Sequence, residues 1–207
     1  MESEQQLLAF LGEAEKLKSV LRHNWMRSGR QEDSAQHSWR AALFFMITQG
    51  QYKFDVDPYK TLSMLVMHDL PEATHGDIAA FIKDSDPEAH AKHKLREAQA
   101  AKTLYAMLPE PARGNMLALY EEYEANETLE ARLAHALEKI ESQLQHQESG
   151  PQYWGNEERG EHMLHYPDKA LATLNDPRVT AIWELVRDKI YALTYPEDDN
   201  ATPTPAT

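Results

Sequence analysis

An all-α bundle forming a single domain is the fold this sequence predicts. Apolar residues recur at helical spacing through most of the chain, and runs of β-branched residues alternating with polar ones are nearly absent. At 207 residues, 42% of them hydrophobic, the chain is long and apolar enough to bury a sizeable core without a second domain.

The elements follow in order. Leu7, Leu8, Leu11, Leu17, Val20 and Leu21 make one stripe, so a first helix is read up to the boundary at Ser28 and Gly29. A second starts near Asp33 or Ser34 and runs through Ala41, Leu43, Phe44 and Ile47 to Gly50. A third starts at Asp57-Pro58, where Pro58 suits a first turn, and carries Leu62, Leu65 and Val66, with Met64 and Met67 filling core. Pro71 ends or kinks it, because proline removes a backbone donor and crowds the preceding turn. Gly76 and Asp77 open a short element through Ile78, Ala79 and Phe81. Residues 88 to 107 read as a charged amphipathic helix closed by Pro109 and Pro111. Helices at 112–125, 128–147, 157–174 and 177–194 complete the bundle, with Glu148 to Asn156 a loop between helices. The domain therefore spans residues 1–195, and the tail at 196–207, which has no apolar anchor, is expected to be disordered.

The net charge of −13 argues against binding nucleic-acid polymers or anionic membrane surfaces, which needs a positive field. The absence of cysteine excludes disulfides, a thiolate nucleophile and Cys-ligated metal sites. The start, MESEQQLLAF, is acidic where a signal peptide is basic, and no stretch approaches the roughly 18 apolar residues of a membrane span. Cytoplasmic is the default expectation.

Chemistry concentrates in one region. His68 and Asp69 sit in the apolar segment LSMLVMHDLPEATHGDI, and a buried charged Asp is costly unless something pairs with it. Two readings are open: a hydrogen-bonded His–carboxylate pair that satisfies itself, or two metal ligands offering an imidazole nitrogen and a carboxylate oxygen. His37 lies on the preceding helix, which a short connection makes antiparallel to the His68 helix, so the two faces can meet. Glu72 follows four residues after His68 and Asp77 five further on. So many titratable groups without a matching supply of basic partners favour a cation.

These residues resemble the HD-domain metal-dependent phosphohydrolases, and more closely their small 5'-deoxynucleotidase branch. The resemblance rests on Arg22 and Trp25 ahead of Ser34, His37 and Arg40, and on His68, Asp69 and Glu72 followed by Gly76, Asp77 and Ile78. A Glu-Glu-Tyr-Glu segment at Glu121 to Glu124 extends it, and the likeness runs from about residue 5 to 190. It implies a single HD-domain bundle and a phosphomonoesterase that converts (deoxy)nucleoside 5'-monophosphates to nucleoside and phosphate. It implies His37, His68, Asp69 and a late carboxylate as ligands of one divalent ion, and a homodimer. Cobalt, manganese, magnesium, zinc and iron all suit such a nitrogen and oxygen site, which the lack of cysteine requires. The late ligand is usually an Asp in a Leu-Asp-Lys-like context; here Glu138 stands there, one methylene longer. His135, one turn earlier, is a substitute ligand or a supporting residue.

Glu72 and Asp77 are then the catalytic acid/base candidates, although Glu72 can also cap a helix start and Asp77 can be an N-cap. Arg22 can fork onto a phosphate and Trp25 can pack on a sugar or base, although a Trp at helical spacing also serves a core. Arg40 either neutralises a phosphate or pairs with a supporting acid, and Lys83 is a weaker phosphate candidate. His90 and His93 lie on a charged face where solvated histidines are expected; they are the candidates for a second metal. The competing functions are another HD hydrolase, acting on cyclic nucleotides or nucleoside triphosphates, and a decayed metal- or nucleotide-binding protein.

Overall fold

The computed structural model describes residues 2–76, 87–155 and 161–196. The chain opens with α1 (Glu2–Ala14), a 3₁₀ turn at Glu15–Ser19 and an antiparallel hairpin of β1 (Leu21–Trp25) and β2 (Gln31–Asp33). Then come α2 (Ser34–Tyr52), α3 (Pro58–Met67) and the short α4 (Glu72–His75). The helices α5 (Pro87–Tyr105), α6 (Ala112–Ala125) and α7 (Leu129–Ser149) lead to α8 (Glu161–His165), α9 (Asp168–Leu174) and α10 (Pro177–Thr194). The helical fold is the one predicted, with the small hairpin as its addition.

Side chains set the helix starts that matter here. Asp33 accepts from Gln36 N at 2.9 Å while Gln36 Oε1 accepts from Asp33 N at 3.2 Å, a capping box that begins α2 just ahead of His37. Asp57 Oδ1 accepts from the Tyr59 and Lys60 amides, with Pro58 in the first turn of α3. That helix stops at Met67, and a turn through Pro71 follows, so His68 and Asp69 stand at its C-terminal end.

The centre of the bundle is α7. It packs against α2, α3, α6, α9, α10 and β1, and buries Ala131, Leu133, Ala134, Ala136, Leu137 and Ile140. Glu138, Glu141, Ser142 and Gln145 are buried on the same helix, so its polar face is enclosed as well. Truncating Leu137, fully buried in this core, is expected to cost about 2–5 kcal/mol, read as a lower urea midpoint with an unchanged slope. A loss within the error of the wild-type midpoint would show that α7 does not carry the core.

Three expectations need correction. The first helix does not reach Ser28: Leu7, Leu8, Leu11 and Leu21 are exposed, the buried residues are Phe10 and Leu17, and Arg22 and Trp25 lie on a strand. Tertiary contact overrides the weak local pattern, because Asn24 on β1 donates to Ser142 O of α7 at 2.9 Å and ties the hairpin down. Its turn needs Gly29, at φ 78°, where a Cβ would meet Tyr153 Oη at 2.6 Å. The expected helix at 157–174 is broken between His165 and Asp168, where Pro167 lacks the amide a continuous helix requires. His93 is not solvated: it shares the inner face of α5 with Glu97, Ala101 and Leu104, is buried, and places Nε2 3.3 Å from Glu97. The element expected from Gly76 to Phe81, with Asp77 and Lys83, lies outside the described residues beyond Gly76, as does the tail after Pro196.

Candidate metal centre

His37 on the first turns of α2, and His68 with Asp69 after α3, come together as sequence spacing anticipates. Each offers a donor atom, and the three atoms lie within 4.8 Å of one another. The imidazole rings meet edge to face, with centroids 5.3 Å apart.

Hydrogen bonding fixes which ring atoms face the cluster. His68 Nδ1 lies 2.9 Å from Leu65 O, and a carbonyl only accepts, so Nδ1 carries the proton. His37 Nδ1 meets a carboxyl oxygen of Glu141, which in its ionised form accepts in the same sense. Both rings therefore turn a lone pair on Nε2 toward the cluster, and both Nε2 atoms are buried with no hydrogen-bond partner. His68 Nε2 lies 3.1 Å from Asp69 Oδ1 and His37 Nε2 3.9 Å from Glu138 Oε2. Two bare imidazole nitrogens beside two carboxylates suit a divalent cation, and an apolar cluster could not satisfy them.

Electrostatics agree. Burial, reinforced by the positive charge of Arg22, pushes His37 down to about 3, so the ring is neutral at any ordinary pH. Burial alone would raise Glu138, but Lys139, with Nζ 3.1 Å from Glu138 Oε1, and the nearby histidines hold it at about 2. Burial pushes Glu141 and Glu32 above the carboxylate range, while Arg40 and Arg22 pull against it.

The other anticipated residues, Asp77 apart because it lies outside the described residues, make the following contacts. Arg22 NH1 donates to Asp69 Oδ2 at 3.0 Å, and its Nε lies 3.5 Å from buried Glu32. Glu72 is buried and accepts from Ser34 Oγ at 2.7 Å, so α4 is tied to the start of α2. Trp25 stacks on Tyr153 with centroids 5.2 Å apart. Arg40 is turned to α7, donating to Gln145 at 2.6 Å and Glu148 at 2.8 Å. His135 stacks on Tyr123 at 4.0 Å, donates from Nε2 to Tyr123 O at 3.0 Å, and keeps Nδ1 3.9 Å from Glu138.

Sequence reading missed Glu141, Lys139 and Tyr123, whose ring lies 5.7 Å from that of His68. A signal existed for the first: Glu138, Glu141, Gln145 and Glu148 recur at helical spacing, so one face of α7 looks at α2.

Known proteins share this architecture. The HD domain family matches residues 14–171. The human 5'-deoxynucleotidase HDDC2 is 29% identical over 178 residues, covering 85% of this chain and 82% of its own. The mouse protein of that name is 33% identical over 141 residues, 67% of each chain. The bovine one is 32% identical, and the match spans 65% of its length, just under two thirds. A solved structure titled a predicted metal-dependent phosphohydrolase, from Magnetospirillum magnetotacticum MS-1, superposes with a TM-score of 0.76 at 28% identity, covering 92% of this chain and 96% of that one.

Proposed function

Because this chain belongs to the HD-domain family, we propose that it is a metal-dependent phosphohydrolase acting on (deoxy)nucleoside 5'-monophosphates in the cytoplasm. The observation that carries the reading is the pair of buried, unpartnered Nε2 atoms facing Asp69. The names of the curated relatives support the substrate class. Among the described residues no helix is long and apolar enough to cross a membrane.

His37, His68, Asp69 and Glu138 would hold one divalent ion, which when bound supplies a Lewis acid for the phosphoryl group and an acidified water. The chain's own residues do the rest. Arg22 holds Asp69 in place and carries the positive charge on which a phosphate oxygen can share a fork. Glu72, oriented by Ser34, is the group that moves a proton to or from the attacking water or the leaving oxygen. Asp77 keeps the same candidacy, to be tested by Asp77→Asn. Trp25, stiffened by Tyr153, offers an aromatic face to the sugar or base. The contacts of Arg40 favour its supporting role, bracing α7 from behind, over direct contact with phosphate.

The test is phosphate release from a panel of nucleotides by purified protein with added cobalt, manganese or magnesium, with products separated by chromatography. Nucleoside and phosphate from 5'-monophosphates are expected. Opening of a cyclic nucleotide or release of tripolyphosphate would instead identify another HD hydrolase, and no turnover with metal demonstrably bound would favour the decayed binding protein.

Glu138 decides between an adapted and a decayed site. Lys139 fixes one carboxylate oxygen, so shortening the side chain withdraws the other from His37. Glu138→Asp is therefore expected to lower turnover by about tenfold to a hundredfold, the scale of a 1 Å misplacement. A large gain in activity would show decay. The homodimer has the exposed Trp39, Leu43, Met46 and Ile47 of α2 to cover. Sedimentation equilibrium is expected to give twice the chain mass, and a monomer at assay concentration would remove that expectation.

A further inference from the structure

Resting on the reading of His37 as a metal ligand, we propose that Glu141 is a positioning residue that sets the tautomer and aim of His37. Glu141 is fully buried on α7, in contact with His37 Nδ1, and its other oxygen lies 3.6 Å from Arg40 Nε. A neutral imidazole has one N–H and an ionised carboxylate, the form that the Arg40 guanidinium beside Glu141 favours, only accepts, so this contact keeps the proton on Nδ1 and leaves Nε2 able to coordinate. Without the acceptor the proton can move to Nε2, or the ring can turn, and either blocks a metal.

Packing does not explain the residue, because a buried carboxylate is costly and an apolar side chain of similar volume would fill the space. The arrangement explains it. Arg40 is fastened to Gln145 and Glu148, on the next turns of the same helix, and closes on Glu141. Arg40, Glu141 and His37 thus carry the rigidity of α7 into the ligand on α2. Carboxylate partners of ligating histidines act this way in metal sites generally, and their removal weakens metal binding about ten- to a hundredfold.

Two readouts test this without relying on turnover. Long-range nitrogen–proton correlation on the histidine rings of the metal-free protein reports each tautomer, with His37 assigned by the signal missing from His37→Asn. Wild type and Glu141→Gln, whose amide oxygen still accepts, are expected to show the Nδ1–H form, and Glu141→Ala a mixture or the Nε2–H form. Competition with a chelator for cobalt or manganese is expected to show the ten- to hundredfold loss in Glu141→Ala and near wild-type affinity in Glu141→Gln. An Nε2–H tautomer in wild type, or wild-type affinity in a natively folded Glu141→Ala, would overturn the proposal. Should Glu141→Ala not fold, the wild-type tautomer still decides. A wild-type chain that binds neither ion, or turns over no nucleotide, would count against the proposed function and leave the tautomer result standing.

Discussion

Asp69→Ala is expected to abolish both metal retention and phosphate release. Asp69 lies 3.1 Å from the bare Nε2 of His68 and receives Arg22 at 3.0 Å, so its removal takes away a proposed ligand and the carboxylate that offsets the Arg22 charge beside the cluster. A cation is then opposed by the charge that Asp69 neutralised. If the metal contributes several kcal/mol of charge stabilisation to the reacting phosphoryl group, turnover should fall by roughly three decades at about 1.4 kcal/mol per decade. Metal analysis after gel filtration provides the independent check: Asp69→Ala and His37→Ala are both expected to come off the column depleted. Unchanged metal content in the two variants would sink the ligand assignment whatever the activity did.

Glu72→Gln should separate chemistry from metal binding. The amide oxygen can still accept from Ser34 Oγ, which sits 2.7 Å from the carboxylate, so the tie between α4 and α2 survives. What is lost is a group that can take up and return a proton. Turnover is expected to drop by about 10²- to 10⁴-fold, with metal content unchanged. Metal loss in this variant would move Glu72 from proton transfer to ligand binding or scaffold, and wild-type turnover would leave Asp77 as the acid/base candidate.

Much of this arrangement was legible in the residues. Asp33 with Gln36, and Asp57 with Pro58, mark the starts of α2 and α3 through their caps, and those starts place His37 opposite His68. The hairpin was not legible, because Leu-Arg-His-Asn-Trp lacks an alternating β-branched pattern and is held by Asn24 reaching Ser142, over a hundred residues away in the chain. Pro167 is a helix-breaking signal that the apolar periodicity of its flanks obscured. Glu141 illustrates a different limit: a chain with 34 acidic residues does not reveal which of them are buried until the faces of α7 and α2 are brought together. His93 shows the same limit in reverse, buried within a segment whose charge suggested solvent.

The negative charge gains meaning from this placement. It still opposes polymeric nucleic acid, while Asp69 belongs to the three-residue donor group and Glu138 lies 3.9 Å from His37 Nε2; under the proposed function these two would face a cation and Arg22 would offer its charge to a single phosphate.

The most direct test is to strip the protein with a chelator, add back cobalt or manganese in steps, and follow bound metal and phosphate release from a deoxynucleoside 5'-monophosphate in the same samples. The predicted result is no release without metal and activity that rises with occupancy and saturates at one ion per chain. Full phosphate release by the metal-free protein, or none from any nucleoside monophosphate once the ion is bound, would contradict it.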